Sequence, residues 1–256
     1  MTAEITRLPL LDYAGAEALN VLCTNLSFTG RDRRVIMVTS CVEAEGKSFV
    51  SMNLARTLSQ LGKRVVLVDA DLRRSVLNSR YGIRLPQGAF GLAHYLADMC
   101  PPEGVLYDTN YPGVYFIPVG RTVTNSLALL NTPRLGELLH RLATQVDYVI
   151  VDTPPVGAVI DPAEIAKSCD GALIVVSSGK VRRRDLSETR QQIEMAGCEV
   201  LGAVLNGVDP NALGSRRYYY AKKYYKKQYG SGDHLPRGDK PVKKVTKPTL
   251  KPARPK

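Results

Sequence analysis

"RVIMVTSCVEAEGKSFVSMNLARTLSQLGKRVVLVDADLRR", residues 34–74, decides the architecture of this chain. Two short runs rich in Val, Ile and Leu, 34–40 and 64–70, bracket a segment in which Val50, Leu54, Leu58 and Leu61 recur every three to four residues. Nearly continuous apolar runs predict strands buried on both faces, and the 3.6-residue period between them predicts a helix that stops at Gly62. The alternation continues outward. Further strands are expected at 114–120, 147–152, 171–178 and 200–208, and a leading helix at 11–29. Alternating strands and helices predict an α/β domain with a mostly parallel sheet and helices on both faces.

The first strand runs straight into Ser40–Phe49, where Gly46-Lys47-Ser48 opens the helix. That context suits a P-loop: backbone N–H groups and the helix N-terminus face phosphates, Lys47 reaches the β and γ oxygens, and the Ser48 hydroxyl binds Mg²⁺. Residues Glu45, Gly46, Lys47, Ser48 and Phe49 are therefore the expected nucleotide-binding loop. Cys41 stands where the first glycine is usual, and Glu43 and Ala44 occupy positions where small residues or glycine are common.

Three acids fall at strand ends: Asp69 and Asp71 on alternate residues at the carboxyl edge of the second strand, and Asp152 as the last residue of the run 147–152. Ligands of open parallel sheets bind outside the carboxyl ends of the strands. Carboxylates there repel a triphosphate unless a hard cation bridges them, so ATP with Mg²⁺ is the implied pair.

Composition divides the chain. Residues 1–215 carry 21 Lys and Arg against 22 Asp and Glu, whereas residues 216–256 carry 14 against two. The excess charge lies in the tail, which argues against a basic nucleic-acid-binding globule. Five scattered cysteines without CxxC spacing suit a reduced, cytoplasmic chain, and no signal peptide or membrane-spanning run is expected. The segments read as a leading stretch and helix (1–29), a P-loop domain (30–212), a tyrosine cluster (213–230) and a Pro- and Lys-rich tail (231–256) whose composition predicts disorder.

The runs 38–74 and 149–176, with "NSLALL" at 125–130 and "VLNGVD" at 204–209, resemble the bacterial tyrosine kinases of capsule and exopolysaccharide synthesis. The resemblance extends over about residues 13–230 and implies a P-loop fold of the partition-ATPase-like type. It also implies a tyrosine autokinase controlled by a membrane-embedded adaptor through that partner's cytosolic segment, which recruits the chain to the inner face of the plasma membrane. Carried over residue by residue, Lys47 and Ser48 hold ATP–Mg²⁺, Asp71 and Asp152 support the metal, and Asp69 is the candidate base. Asn206 is a candidate for the adenine edge. In the family the leading helix carries E-x-x-R-x-x-R, which closes a ring of subunits. Here it reads Glu17–Asn20–Cys23, so a homo-oligomer cannot close through that motif in the usual way.

"SRRYYYAKKYYKKQYG", residues 215–230, holds Tyr218, Tyr219, Tyr220, Tyr224, Tyr225 and Tyr229 among six Lys and Arg residues. Such a segment suits anionic lipid or other polyanions. Tied to a phosphoryl-transfer site, it is also a substrate at high effective concentration, and six phosphotyrosines would add roughly −9 to −12 of charge. Two rivals share the fold: a partition or positioning ATPase, and a catalytically degenerate regulatory subunit with a polyanion-binding tail. Val42 sits where the first rival carries a signature lysine.

Overall fold

The computed structural model describes residues 1–30 and 32–208; the tyrosine cluster and the tail beyond it lie outside the described residues. In chain order the elements are β1 (Thr2–Ile5), α1 (Tyr13–Phe28), β2 (Val35–Ser40), α2 (Lys47–Gln60), β3 (Val65–Asp69), α3 (Leu77–Tyr81) and β4 (Ile83–Arg84). There follow α4 (Leu92–Leu96), a 3₁₀ turn (Pro102–Val105), β5 (Tyr107–Thr109), β6 (Val114–Ile117), α5 (Ser126–Leu130) and α6 (Arg134–Ala143). The last are β7 (Tyr148–Asp152), α7 (Asp161–Ala166), β8 (Gly171–Ser177), α8 (Arg183–Met195) and β9 (Val200–Asn206).

Among the described residues the strands form one sheet in the order β4-β1-β5-β6-β3-β7-β2-β8-β9. Its centre, from β6 to β9, is parallel, and the β1–β4 and β5–β6 pairs are antiparallel. Alternation along each central strand feeds two helical layers. Val65 and Leu67 of β3 join Leu54 and Leu58 of α2 on one face. Val66 and Val68 join Leu135, Leu138 and Leu142 of α6 on the other. Burying each such side chain contributes ~1.5–3 kcal/mol, enough to fix which way every strand faces. The α/β architecture with helices on both faces is therefore the one the sequence predicts.

The strands differ from that reading in two ways. β1, β4 and β5 are strands the sequence did not reveal, since they span only four, two and three residues. β9 was expected to be buried on both faces, yet Leu205 is 60% exposed. It is the outermost strand, at the rim of both helical layers, where cover thins. The expected leading helix is present as α1, capped by the Asp12 carboxylate accepting from Gly15 N at 2.8 Å. At its former ring positions, Asn20 donates to Glu17 Oε2 at 3.4 Å and Cys23 is buried in the core.

β7 inserts between β2 and β3. That single feature places the end of β7 beside both the loop between β2 and α2 and the acids at the end of β3.

Candidate active site

The loop between β2 and α2 is held from below by the acid within it. Glu45 is 1% exposed, and its carboxylate accepts from Val42 N at 2.9 Å and from Ser177 N at 3.0 Å. Its carbonyl accepts from Asn206 Nδ2 at 2.9 Å. Gly46 turns the chain with φ +91°, and a Cβ there would lie 2.0 Å from Asn206 Nδ2, so only glycine fits. Ala44 also adopts a left-handed conformation, φ 59°, at a cost of roughly 1–2 kcal/mol for a residue with a Cβ. Glu43 stands at the exposed edge of the cleft, its carboxylate 3.5 Å from Arg74 Nη1 with both side chains mostly exposed. The N-terminus of α2 has no side-chain cap and no acid in its first turn, which leaves its N–H groups open to an anion.

Beneath this loop lie the acids. Asp69 and Asp152 face each other in register at the ends of β3 and β7. Ser51 Oγ, one turn along α2 from Lys47, donates to Asp152 Oδ1 at 2.9 Å. Burial pushes Asp152 up to about 6, even though Lys47 and the Ser48 and Ser51 hydroxyls favour its charged form. Asp69 is fully buried. Burial is the first cause that holds its carboxyl well above the usual range; the Ser75 hydroxyl, which donates to Oδ2, opposes this, and the charges of Asp152 and Asp71 add to it. Asp69 Oδ1 is buried with no hydrogen-bond partner. Asp71 accepts from Arg74 N at 2.9 Å and reaches the surface of the cleft.

That cleft has a volume of about 540 Å³, and Gly46, Lys47, Ser48, Asp71, Arg73 and Pro155 are among its walls. Lys47, Ser48 and Asp71, all predicted from sequence, thus share one cavity. Asp69 and Asp152 are buried and are not among its walls; Ser51 ties Asp152 to the helix that opens with Lys47. Phe49 is half-buried and packs against the α2-side core. Asn206 braces the loop from the end of β9, and the six tail tyrosines fall outside the described residues.

Sequence reasoning missed four side chains. Ser51 was discoverable from its i,i+4 spacing to Lys47 on a helix. Ser75, Ser126 and Asp161 carried no local signal. Arg73 donates through Nε to Asp161 Oδ2 at 2.8 Å and through Nη2 to Asp161 Oδ1 at 2.9 Å, and Ser126 donates to the same carboxylate.

The donor set suits Mg²⁺. An orphaned buried carboxylate oxygen and raised proton affinities are what clustered acids show when no cation offsets them. Among the described residues no three His, Cys, Asp or Glu side chains gather closely enough to cage a metal alone. Mg²⁺ does not require that; it takes one or two carboxylates and completes its shell with water and substrate phosphate.

Residues 33–196 match the AAA domain family. The chain is 33% identical over 211 residues to the tyrosine-protein kinase CpsD of Streptococcus agalactiae serotype III, covering 80% of this chain and 90% of the relative. The chain belongs to the bacterial protein-tyrosine kinases. Among solved structures the kinase resembles the kinase domain of the Escherichia coli tyrosine kinase ETK, with a TM-score of 0.73, 33% identity and 77% of each chain covered. The septum site-determining protein MinD of Pyrococcus horikoshii, solved with Mg-ADP, shares the fold at a TM-score of 0.61 and 23% identity, covering 73% of this chain and 76% of that one. The kinase is thus a P-loop enzyme acting on protein tyrosine. No helix among its described residues is long and apolar enough to cross a membrane.

Proposed function

We propose that this kinase transfers the γ-phosphoryl group of ATP to its own C-terminal tyrosines, Tyr218, Tyr219, Tyr220, Tyr224, Tyr225 and Tyr229. The observation that carries the reading is where the chain leaves the sheet. Asn206, the last residue of β9, is hydrogen-bonded to the carbonyl of Glu45 in the phosphate-loop segment itself, and Tyr218 follows twelve residues later. Twelve residues span at most ~40 Å when extended, so the acceptors are tethered within reach of the cleft or of a neighbour's cleft.

In this reading the α2 N-terminus and Lys47 bind the phosphates, with Glu45 and Asn206 bracing the loop and Asn206 also lying near the adenine edge. Ser48, Asp71 and Asp152 would hold Mg²⁺, which supplies charge neutralisation and orientation of the β and γ oxygens. Asp69 accepts the proton of the incoming hydroxyl. Burial raises its proton affinity, and the Ser75 hydroxyl fixes one of its oxygens. Asp71, on the cleft wall, is the other candidate. Comparing pH–rate profiles of Asp69→Asn and Asp71→Asn separates them, because only loss of the base removes the acidic limb.

The resemblance to kinases of capsule and exopolysaccharide synthesis supports the biological half of the proposal: a role in polysaccharide synthesis and export. There a membrane-embedded adaptor recruits the kinase to the inner face of the plasma membrane and stimulates it. The tail's excess of basic residues over its two acids would hold anionic lipid or another polyanion, and phosphorylation would release it. A homo-oligomer would need contacts other than the E-x-x-R-x-x-R pairing. The test is phosphotyrosine formation with ATP–Mg²⁺, with and without the adaptor's cytosolic segment. A variant with all six tyrosines changed to Phe should lose nearly all signal; undiminished labelling would sink the proposal.

A further inference from the structure

Arg73 closes the D-x-D-x-R run and lines the cleft two residues beyond Asp71. Its guanidinium is clamped by a carboxylate 88 residues further along the chain: Nε and Nη2 donate to the two oxygens of Asp161 at 2.8 and 2.9 Å. Asp161 is fully buried at the first residue of α7. Ser126, equally buried at the first residue of α5, donates its hydroxyl to the same carboxylate. A walled-in carboxylate accepting three hydrogen bonds keeps one orientation. The two-pronged contact passes that order to the planar guanidinium, as a single bond to a lysine could not. Arg73 itself stays 34% exposed. Asp161 therefore spends its bonds holding a cation at the cleft wall rather than sealing one into the core.

We infer that Asp161, steadied by Ser126, is a positioning residue that fixes Arg73 as a standing cation beside the phosphoryl group in transfer. As the bond from the γ-phosphorus to the β,γ-bridging oxygen breaks, the bond to the tyrosine oxygen forms, and the hydroxyl proton passes to a carboxylate at the strand ends. Arg73 exchanges no atom and no electron pair. Its contribution is charge already oriented before the negative charge redistributes, so that no reorganisation is needed at that moment. A positioned cation acts mainly on turnover, and a tie that merely joined α5 and α7 to the sheet would not act through Arg73.

The test is a double-mutant cycle in the full chain, reading ADP formation, phosphotyrosine and binding of a fluorescent ADP. Asp161→Asn should lower kcat ~10-fold or more, with KM for ATP and ADP affinity within about threefold. In an Arg73→Ala background the same change should add almost nothing. Losses that multiply independently, a rise in KM with kcat intact, or full activity of Asp161→Asn would overturn the inference. If Asp161→Asn does not fold, Ser126→Ala decides. A kcat loss that vanishes in the Arg73→Ala background supports the role, and an unchanged kcat overturns it. Because ADP is measured beside phosphotyrosine, ADP formed without tail phosphotyrosine, the phosphoryl group passing to water or to another tyrosine, would strike only that earlier reading and still report turnover.

Discussion

Asp152 and Asp161 are both buried acids, one closing β7 and the other opening α7, and the fold treats them in opposite ways. Asp161 sits in a bidentate pair with Arg73, and the side-chain hydrogen bonds from Arg73 and Ser126 together outweigh its burial to hold its carboxyl below the usual carboxylate range. Asp152 sits among other acids, and there burial wins over Lys47 and two hydroxyls to raise it to about 6. One acid is matched in the folded chain itself. The other is left short of positive charge, as a site that receives a cation requires. Stability is withheld at the proposed phosphate site and recovered a few residues away.

The contrast has opposite signatures in pH. Asp161 binds its proton less readily when folded, so its contribution is present above its unfolded value and is lost as pH falls through the folded one. Asp152 binds its proton more readily when folded, so stability falls as pH rises from its ordinary 3.8 towards about 6.

The largest expected effect breaks the matched half. Asp161→Ala should cost ~2–3 kcal/mol in urea unfolding at neutral pH, at the lower end for a broken buried pair because Arg73 can still reach water. A cost below ~0.5 kcal/mol would mean the pair is not a structural element. Next comes the unmatched half. Asp152→Asn should raise the stability of the nucleotide-free kinase by ~2 kcal/mol at pH 7, flatten its decline between pH 4 and 6, and abolish turnover. A variant destabilised at pH 7 would contradict the reading of Asp152 as an uncompensated charge. The smallest effect sharpens the comparison at the loop above. Ala44→Gly relieves a left-handed residue and should stabilise the protein by ~1 kcal/mol with equal or tighter ADP binding. Thermal melts with and without Mg-ADP would show it, and lower stability in both would mean Ala44 is not strained.

Much of this was written locally. The valine-rich runs and the 3.6-residue period of α2 set strand and helix, because backbone geometry imposes those periods within a few residues. Gly46, Lys47 and Ser48 were legible as a phosphate loop, and Asp69, Asp71 and Asp152 as acids at strand ends. β1 was not, since four alternating residues are too short a period, and β9 misled because a Val- and Leu-rich run carries no mark of standing at the rim. Glu45 reads as part of the nucleotide-binding loop, yet its carboxylate is turned to backbone N–H groups of residues 42 and 177.

The sequence by itself determined the kinds of element and the chemistry of the strand ends, since both rest on neighbours along the chain. Only the tertiary structure decided that β7 lies between β2 and β3, setting Asp152 opposite Asp69, and that Asp161 meets both Arg73 and Ser126. Those pairings join residues 35 to 88 positions apart. They are selected by the packing of whole layers, which bury their apolar faces in one arrangement, and no local run of residues encodes that choice.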